Sequence, residues 1–219
     1  MSNERAQFFT RVFTDRLWGS EESASGQGST MAAAQQVVDA LPGVLRQLNV
    51  RTLVDAPCGD FNWMKAVDLA GIDYLGVDIV PGIAAQNAAR YSKAGVRFEV
   101  MDLVEDPLPG VDMIFVRDCF IHFSLALIQA ALCNFRRSGI KYLCVTHDNC
   151  VERYASNHHR NIDLDRTVQG VNFEYRPLNF QLPPFDFPQP LHIIQDGSAW
   201  DGFKTMAVWD MASLPAIQE

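Results

Sequence analysis

"LVDAPCGDFNWM", residues 53–64, carries an apolar run into Asp55 and turns through Pro57, Cys58 and Gly59 before reaching Phe61, Asn62 and Trp63. A buried strand that ends in a tight glycine turn and feeds a helix is the usual way to hold a nucleotide-like ligand at a sheet's carboxyl edge. The strand beginning here, "RTLVDA" (51–56), is followed by "DYLGVDIV" (73–80), "VRFEVMDL" (96–103), "VDMIFVRD" (111–118) and "IKYLCVTHD" (140–148). Helix-patterned segments at 62–70, 81–94 and 124–138 lie between them, with apolar residues at i, i+3, i+4 spacing and Pro81 at a first turn. This alternation predicts an α/β chain with a mostly parallel sheet and helices on both faces. "LHIIQD" (191–196) and "FKTMAVWDM" (203–211), joined by a short Gly-containing connection, predict a C-terminal antiparallel hairpin that closes the sheet.

The 219 residues, 48% hydrophobic and 20% charged, suit one domain spanning 1–219. A net charge of -8 argues against a nucleic-acid partner. No run of about 18 apolar residues occurs, and the first residues lack a signal-peptide core, so no membrane partner and a cytoplasmic location are expected. Five cysteines, an odd count without a CxxC pair, fit reduced thiols better than a disulfide or zinc framework. "MAAAQQVVDALPGVLRQL" (31–48) predicts a helix, capped by Ser29 or Thr30 and kinked or broken at Pro42-Gly43. Residues 1–30 read as an N-terminal helix followed by a Gly/Ser loop, "WGSEESASGQGS", that is either a lid or a linker. The polar, then Pro- and Phe-rich segment 149–190 reads as an ordered insertion over the substrate site. A small-molecule substrate and a monomer or homodimer are the expected partners.

Asp55, Asp78 and Asp102 end three consecutive predicted strands on one edge of one sheet, which core packing does not require. The plainer alternative is that they cap helix N-termini. An acid at the second position can accept hydrogen bonds from both ribose hydroxyls of a nucleoside. The full GxGxxG is absent, and acids at the turn repel phosphates, so the ligand predicted is a ribose bearing a cation rather than a diphosphate.

From about Arg51 to Asp148 the chain resembles the class I S-adenosylmethionine-dependent methyltransferases, with Pro57 and Phe61 standing where that family usually has glycines. It is also similar to a narrower group of small methyltransferases marked by "WGSEESASGQGS", "DAPCGDFNW", "RDCFIH" and "RPLN". The resemblance implies a Rossmann-like seven-stranded sheet and S-adenosyl-L-methionine as cofactor. It implies Gly59 and Pro57 under the methionine part, Asp78 with Ile79 at the ribose, and Asp102 with Leu103 beside the adenine. Asp55 and Asp60 are then expected near the amino group or sulfonium, directly or through water, with Asp118 completing the set. Trp18 and the loop to Ser29 are expected to lid the pocket, their N–H groups forming a nest for the cofactor's carboxylate. Phe61 and Trp63 either pack on the cofactor or bury the first helix.

Methyl transfer from a sulfonium is an in-line displacement, and a hydroxyl acceptor must also lose a proton. "FVRDCFIH" supplies Arg117, Asp118 and His122, with His122 as base and Asp118 orienting it; a capping or core histidine is the competing reading. "THDN" adds His147 and Asp148 at the next strand end. Arg176 and Asn161 are expected to bind substrate, or Arg176 to pair with Asp163. Asp118, His122, His147 and Asp148 are permissible metal ligands, but their spacing matches no ligand motif, so no metal is expected. The function expected is O-methylation of a small molecule. N-methylation, or cofactor binding without catalysis, is the alternative, and the missing GxGxxG disfavours a nucleotide-dependent oxidoreductase.

Overall fold

The computed structural model describes residues 4–197 and 202–216. Seven strands form one sheet: β1 (Thr52–Asp55), β2 (Asp73–Asp78), β3 (Val96–Val100), β4 (Met113–Val116), β5 (Tyr142–Asp148), β6 (His192–Gln195) and β7 (Lys204–Asp210). Their order is β3-β2-β1-β4-β5-β7-β6, with β7 antiparallel to both its neighbours and every other pairing parallel. The expected sheet and terminal hairpin are therefore present, although residues 198–201 of the hairpin's connection lie outside the described residues. The chain moves one way from β1 through β2 to β3 and the other way from β4 onward. The switch lies between β1 and β4, where an open α/β sheet leaves a crevice at its carboxyl edge.

Among the described residues the α-helices are α1 (Glu4–Thr14), α2 (Met31–Gln47), α3 (Pro81–Tyr91) and α4 (Leu125–Arg137). Thr30 caps α2 by accepting from the Ala33 N–H at 3.3 Å, an interaction worth about 1 kcal/mol. The helix then continues through Pro42, so of the expected kink or break it shows no break. It buries Ala34, Val37, Val38, Leu41, Val44 and Leu45, a stripe wide enough to hold the helix on the sheet despite the hydrogen bond that a proline removes.

The helix expected over 62–70 is replaced by one short 3₁₀ turn, Met64–Ala66. Phe61 adopts a φ of 58°, outside the helical region, and its ring packs among Tyr74, Tyr91 and Phe98. Two cores flank the sheet. One joins α2 to Phe61, Trp63, Tyr74 and Phe115; the other joins α4 to Phe120, Phe180, Phe185, Phe187 and Trp209.

Candidate functional site

A cavity of about 480 Å³ opens at the switch point. Its floor is made by strand ends: Asp55 as the last residue of β1, Asp78 as the last of β2, Asp102 beyond β3, and Arg117 with Asp118 after β4. Twelve positions singled out as cofactor contacts line this one space: Trp18, Ser29, Asp55, Pro57, Gly59, Asp60, Trp63, Asp78, Ile79, Asp102, Leu103 and Asp118. Phe61 does not; it belongs to the core.

The acids differ in what holds them. Asp78 is buried and accepts from the N–H groups of Gly59 (3.1 Å) and Val80 (2.9 Å); burial outweighs these bonds and pushes its carboxyl up to about 6. Asp55 accepts from the Tyr74 hydroxyl at 2.6 Å, and burial pushes it up to about 7. Arg5 of α1 reaches Asp102 and Glu105 at 2.6 Å each, closing α1 over that end of the cavity. The Gly59 N–H, which in a diphosphate site would face the phosphate, donates to Asp78 instead.

Asp60 has a second duty besides lining the cavity. Its carboxylate accepts from the Ser23 hydroxyl (3.0 Å) and the Ala24 N–H (2.8 Å), so it anchors the Gly/Ser loop. The Ser25 hydroxyl accepts from the Asp60 N–H, Glu22 accepts from Asn62, Asn62 donates to the Ser29 carbonyl, and Arg117 donates to the Gly28 carbonyl at 2.8 Å. These bonds dock the loop on the turn after β1. Gly59 makes the approach possible: it has a φ of 52°, and a Cβ there would stand 2.3 Å from the Ser25 hydroxyl oxygen.

Beyond the loop lies a chain of alternating charges. Asp196, just past β6, holds Arg117 through two bonds of 2.9 and 2.7 Å. Lys204, the first residue of β7, lies 2.6 Å from Asp118 and 3.2 Å from Asp196. Burial alone would raise the Asp118 carboxyl, but Lys204 and Arg117 hold it well below the usual carboxylate range. Asp118 has a φ of 52° and donates its N–H to the Thr146 hydroxyl at 2.8 Å. Neither Lys204 nor Asp196 was singled out from sequence. The signal was available, because an antiparallel final strand brings its first residue to the edge where parallel strands end.

His122 lines the cavity, but Asp118 does not orient it. The imidazole Nδ1 lies 3.1 Å from the Glu174 carbonyl, and because a carbonyl only accepts, Nδ1 carries the proton and Nε2 is the basic nitrogen. The ring stacks on Trp18 at 5.4 Å and 27°, and burial lowers its pKa from the ordinary histidine value.

Three other expectations fail. His147 is fully buried and does not line the cavity. Side chains alternate along β5, so His147 shares the core face with Leu143 and Val145 while its neighbour Thr146 meets Asp118. Its Nδ1 accepts from the Phe180 N–H, Trp209 packs against it, and burial lowers its pKa to about 4. Asn161 is a clasp within the 149–190 segment: its amide donates to the carbonyls of Asn179, Leu182 and Pro183, and its oxygen accepts from the Asn179 N–H. Arg176 donates to the carbonyls of Ile162, Phe120 and Phe123, and burial lowers it to about 10; Asp163 is instead held by the N–H groups of Leu125 and Leu164. Both residues shape the segment and stay outside the cavity. Only Phe173 and Tyr175 bring side chains from 149–190 into the cavity lining.

Among the described residues no three His, Cys, Asp or Glu side chains gather as metal ligands. Asp148 is taken by Arg153 and the Cys150 N–H, so the four candidate ligands do not share one site. No helix among the described residues is long and apolar enough to cross a membrane.

No protein-family model matches the chain, and no curated protein matches it in sequence. Solved structures do. The Burkholderia thailandensis 1,6-didemethyltoxoflavin-N1-methyltransferase, with 1,6-didemethyltoxoflavin and S-adenosylhomocysteine bound, has a TM-score of 0.59 at 15% identity, covering 93% of this chain and 85% of that one. The magnesium protoporphyrin IX methyltransferase of Synechocystis PCC 6803, with S-adenosylhomocysteine bound, has a TM-score of 0.56 at 12% identity, covering 94% and 97%. The chain has the fold of the S-adenosylmethionine-dependent methyltransferases.

Proposed function

We propose that this protein is a cytoplasmic methyltransferase that uses S-adenosyl-L-methionine to methylate a hydroxyl of a small molecule. The observation that carries the reading is the convergence of Asp55, Asp78 and Asp102 on one cavity at the switch point, with the Gly59 N–H turned to Asp78. Such a floor accepts ribose hydroxyls and a cationic centre and repels a diphosphate. The free thiols of all five cysteines support the location.

When bound, the cofactor supplies a methyl carbon on a sulfonium, whose bond breaks with its electron pair left on sulfur as an acceptor oxygen's lone pair forms the new one. Asp78 would hold the cofactor by accepting from its ribose hydroxyls, and Asp55 and Asp118 would offer carboxylates to its cationic part. Trp18 and the Gly/Ser loop through Ser29 cover the cavity and exclude water. His122 takes the acceptor's proton at Nε2, held for the purpose by the Glu174 carbonyl at Nδ1.

Calorimetric titration with S-adenosylhomocysteine and, separately, NADH tests the cofactor: binding of the first alone is expected, and binding of NADH alone overturns the reading. For the base, His122→Ala is expected to lower kcat about 10²–10⁴-fold, with S-adenosylhomocysteine affinity near wild type. Because burial lowers the imidazole pKa, the group is neutral at pH 7, so the wild-type rate rises with pH through an inflection below the ordinary histidine value and then levels. That inflection disappears in the variant. Near-normal turnover of His122→Ala refutes the base assignment and favours an amine acceptor, which needs positioning alone.

A further inference from the structure

The cavity is chemically divided. Its acids lie along the strand ends, whereas Trp18 stacks on His122 and Ile121, Phe123, Phe173 and Tyr175 add apolar surface to the lining; Asp118 and Arg176 are the charges that act on the imidazole. We infer that the acceptor is an uncharged planar aromatic alcohol, lying as a layer against the Trp18 indole with its hydroxyl on His122 Nε2; the inference rests on the methyl-transfer reading.

The geometry of the stacked pair carries it. The imidazole is inclined to the indole by 27° with ring centres 5.4 Å apart, and its Nε2 lone pair lies in the plane of the imidazole. A hydroxyl held there continues the imidazole layer, and a flat ring attached to that oxygen extends beside His122 with one face towards the indole. Offset stacking of this kind contributes beyond the burial of area, and a saturated ring lacks it. Trp18 is tied to the mouth by its indole N–H, which donates to the Phe173 carbonyl at 3.4 Å.

Two side chains at the mouth point to the same class. Phe173 and Tyr175 line the cavity yet are 48% and 51% exposed, where most large apolar residues of the chain are buried. Their exposed faces are apolar surface that a ring entering the cavity would cover. The cations of the lining are committed, Arg5 to Asp102, Arg117 to Asp196 and Lys204 to Asp118, so none awaits an anionic acceptor. Proton chemistry agrees. A phenolic hydroxyl titrates near about 10, as in tyrosine, within reach of a neutral imidazole, whereas an aliphatic alcohol is far less acidic. The balance closes within the site: the proton passes to Nε2, the oxygen pair forms the bond to the methyl carbon, and the carbon–sulfur pair stays on sulfur.

The test is a pair of probes, 2-naphthol and its saturated counterpart decahydro-2-naphthol, titrated calorimetrically into the full chain with and without saturating S-adenosylhomocysteine. Naphthol is expected to bind at least tenfold more tightly, and Trp18→Leu and Phe173→Ala are each expected to reduce that ratio at least threefold. The half-exposed Phe173 keeps the test available should the Trp18 variant fail to fold. Equal affinity of the two probes, or a ratio unmoved by both substitutions, overturns the aromatic slot. Failure of S-adenosylhomocysteine to bind overturns the cofactor reading instead, and the probe ratio measured without it still decides the slot.

Discussion

Asp78 is the residue on which the cofactor reading turns, and Asp78→Asn separates its service to a ligand from its service to the fold. The wild-type carboxylate accepts the N–H of Gly59 on one oxygen and that of Val80 on the other. An amide has one accepting oxygen, so the variant leaves one of these N–H groups facing an NH₂, at a cost of about 1–3 kcal/mol. Against this, burial disfavours the ionised carboxylate and pushes its pKa up to about 6 even with these bonds made, and the amide avoids that desolvation cost. The two effects offset, and the urea midpoint at pH 7 is expected to stay close to wild type. Ligand affinity has no such compensation. Losing charge-assisted bonds from ribose hydroxyls costs about 1.5–3 kcal/mol, a weakening of roughly 10- to 150-fold for S-adenosylhomocysteine by calorimetry. The sign with pH follows from the raised value. Hydroxyl donors favour the ionised carboxylate, so wild-type affinity rises as pH increases towards about 6 and then levels, and binding at pH 6 releases protons. The substituted amide cannot titrate, so this component is absent from the variant, while any contribution of Asp55 persists in both. A folded Asp78→Asn protein with wild-type affinity and an unchanged pH profile refutes the ribose assignment.

Lys204→Met removes the 2.6 Å partner of Asp118 but leaves Arg117 at 3.5 Å, so the loss is expected below the 3–5 kcal/mol typical of breaking a buried pair, at about 1–3 kcal/mol. Because the Asp118 carboxyl is held below its ordinary value, its stabilisation is present above the unfolded pKa of about 3.9 and is lost as pH falls through the folded one; the gap between wild-type and variant urea midpoints therefore narrows in acid, and equal midpoints at pH 7 refute the pairing. Gly59→Ala places a methyl 2.3 Å from the Ser25 hydroxyl oxygen at a backbone angle that costs alanine about 1–2 kcal/mol. It is expected to undock the loop, speeding hydrogen exchange at the Ala24 and Asp60 N–H groups at least tenfold, and unchanged exchange there refutes the docking role.

The parallel sheet was legible because each of its strands ends in a local mark: an apolar run, then an acid or a turn residue. Such marks need no knowledge of neighbours. The 62–70 helix failed on this account. Met64, Val67 and the aromatic residues before them have helical spacing, but the aromatic cluster around Phe61 and the polar ties of Asp60 and Asn62 to the Gly/Ser loop impose another path. Tertiary packing overrode the period. The loop's composition suggests few side chains able to hold it; Glu22, Ser23 and Ser25 supply them, each through a partner distant in sequence.

The two halves of the site differ in the same way. An acid at the end of a parallel strand must lie at the carboxyl edge whatever else happens, and so the acidic half of the cavity was readable. The half around His122 depends on register and on partners without sequence signatures. His147 and Thr146 differ by one residue and face opposite sides of the sheet, and nothing local says which faces Asp118. Charge explains why Asp118 is not the partner of His122. Asp118 and Asp196 meet Arg117 and Lys204, two acids with two cations, so the network is neutral without an imidazolium. An unshared carboxylate bonded to the ring would raise its pKa and favour the charged form, which cannot accept a proton. A backbone carbonyl fixes the same tautomer with no net charge, and burial keeps the ring neutral. On the proposed role of His122 as a base that must be unprotonated at pH 7, the backbone carbonyl of Glu174 serves better than an aspartate, and no side-chain motif could have announced it.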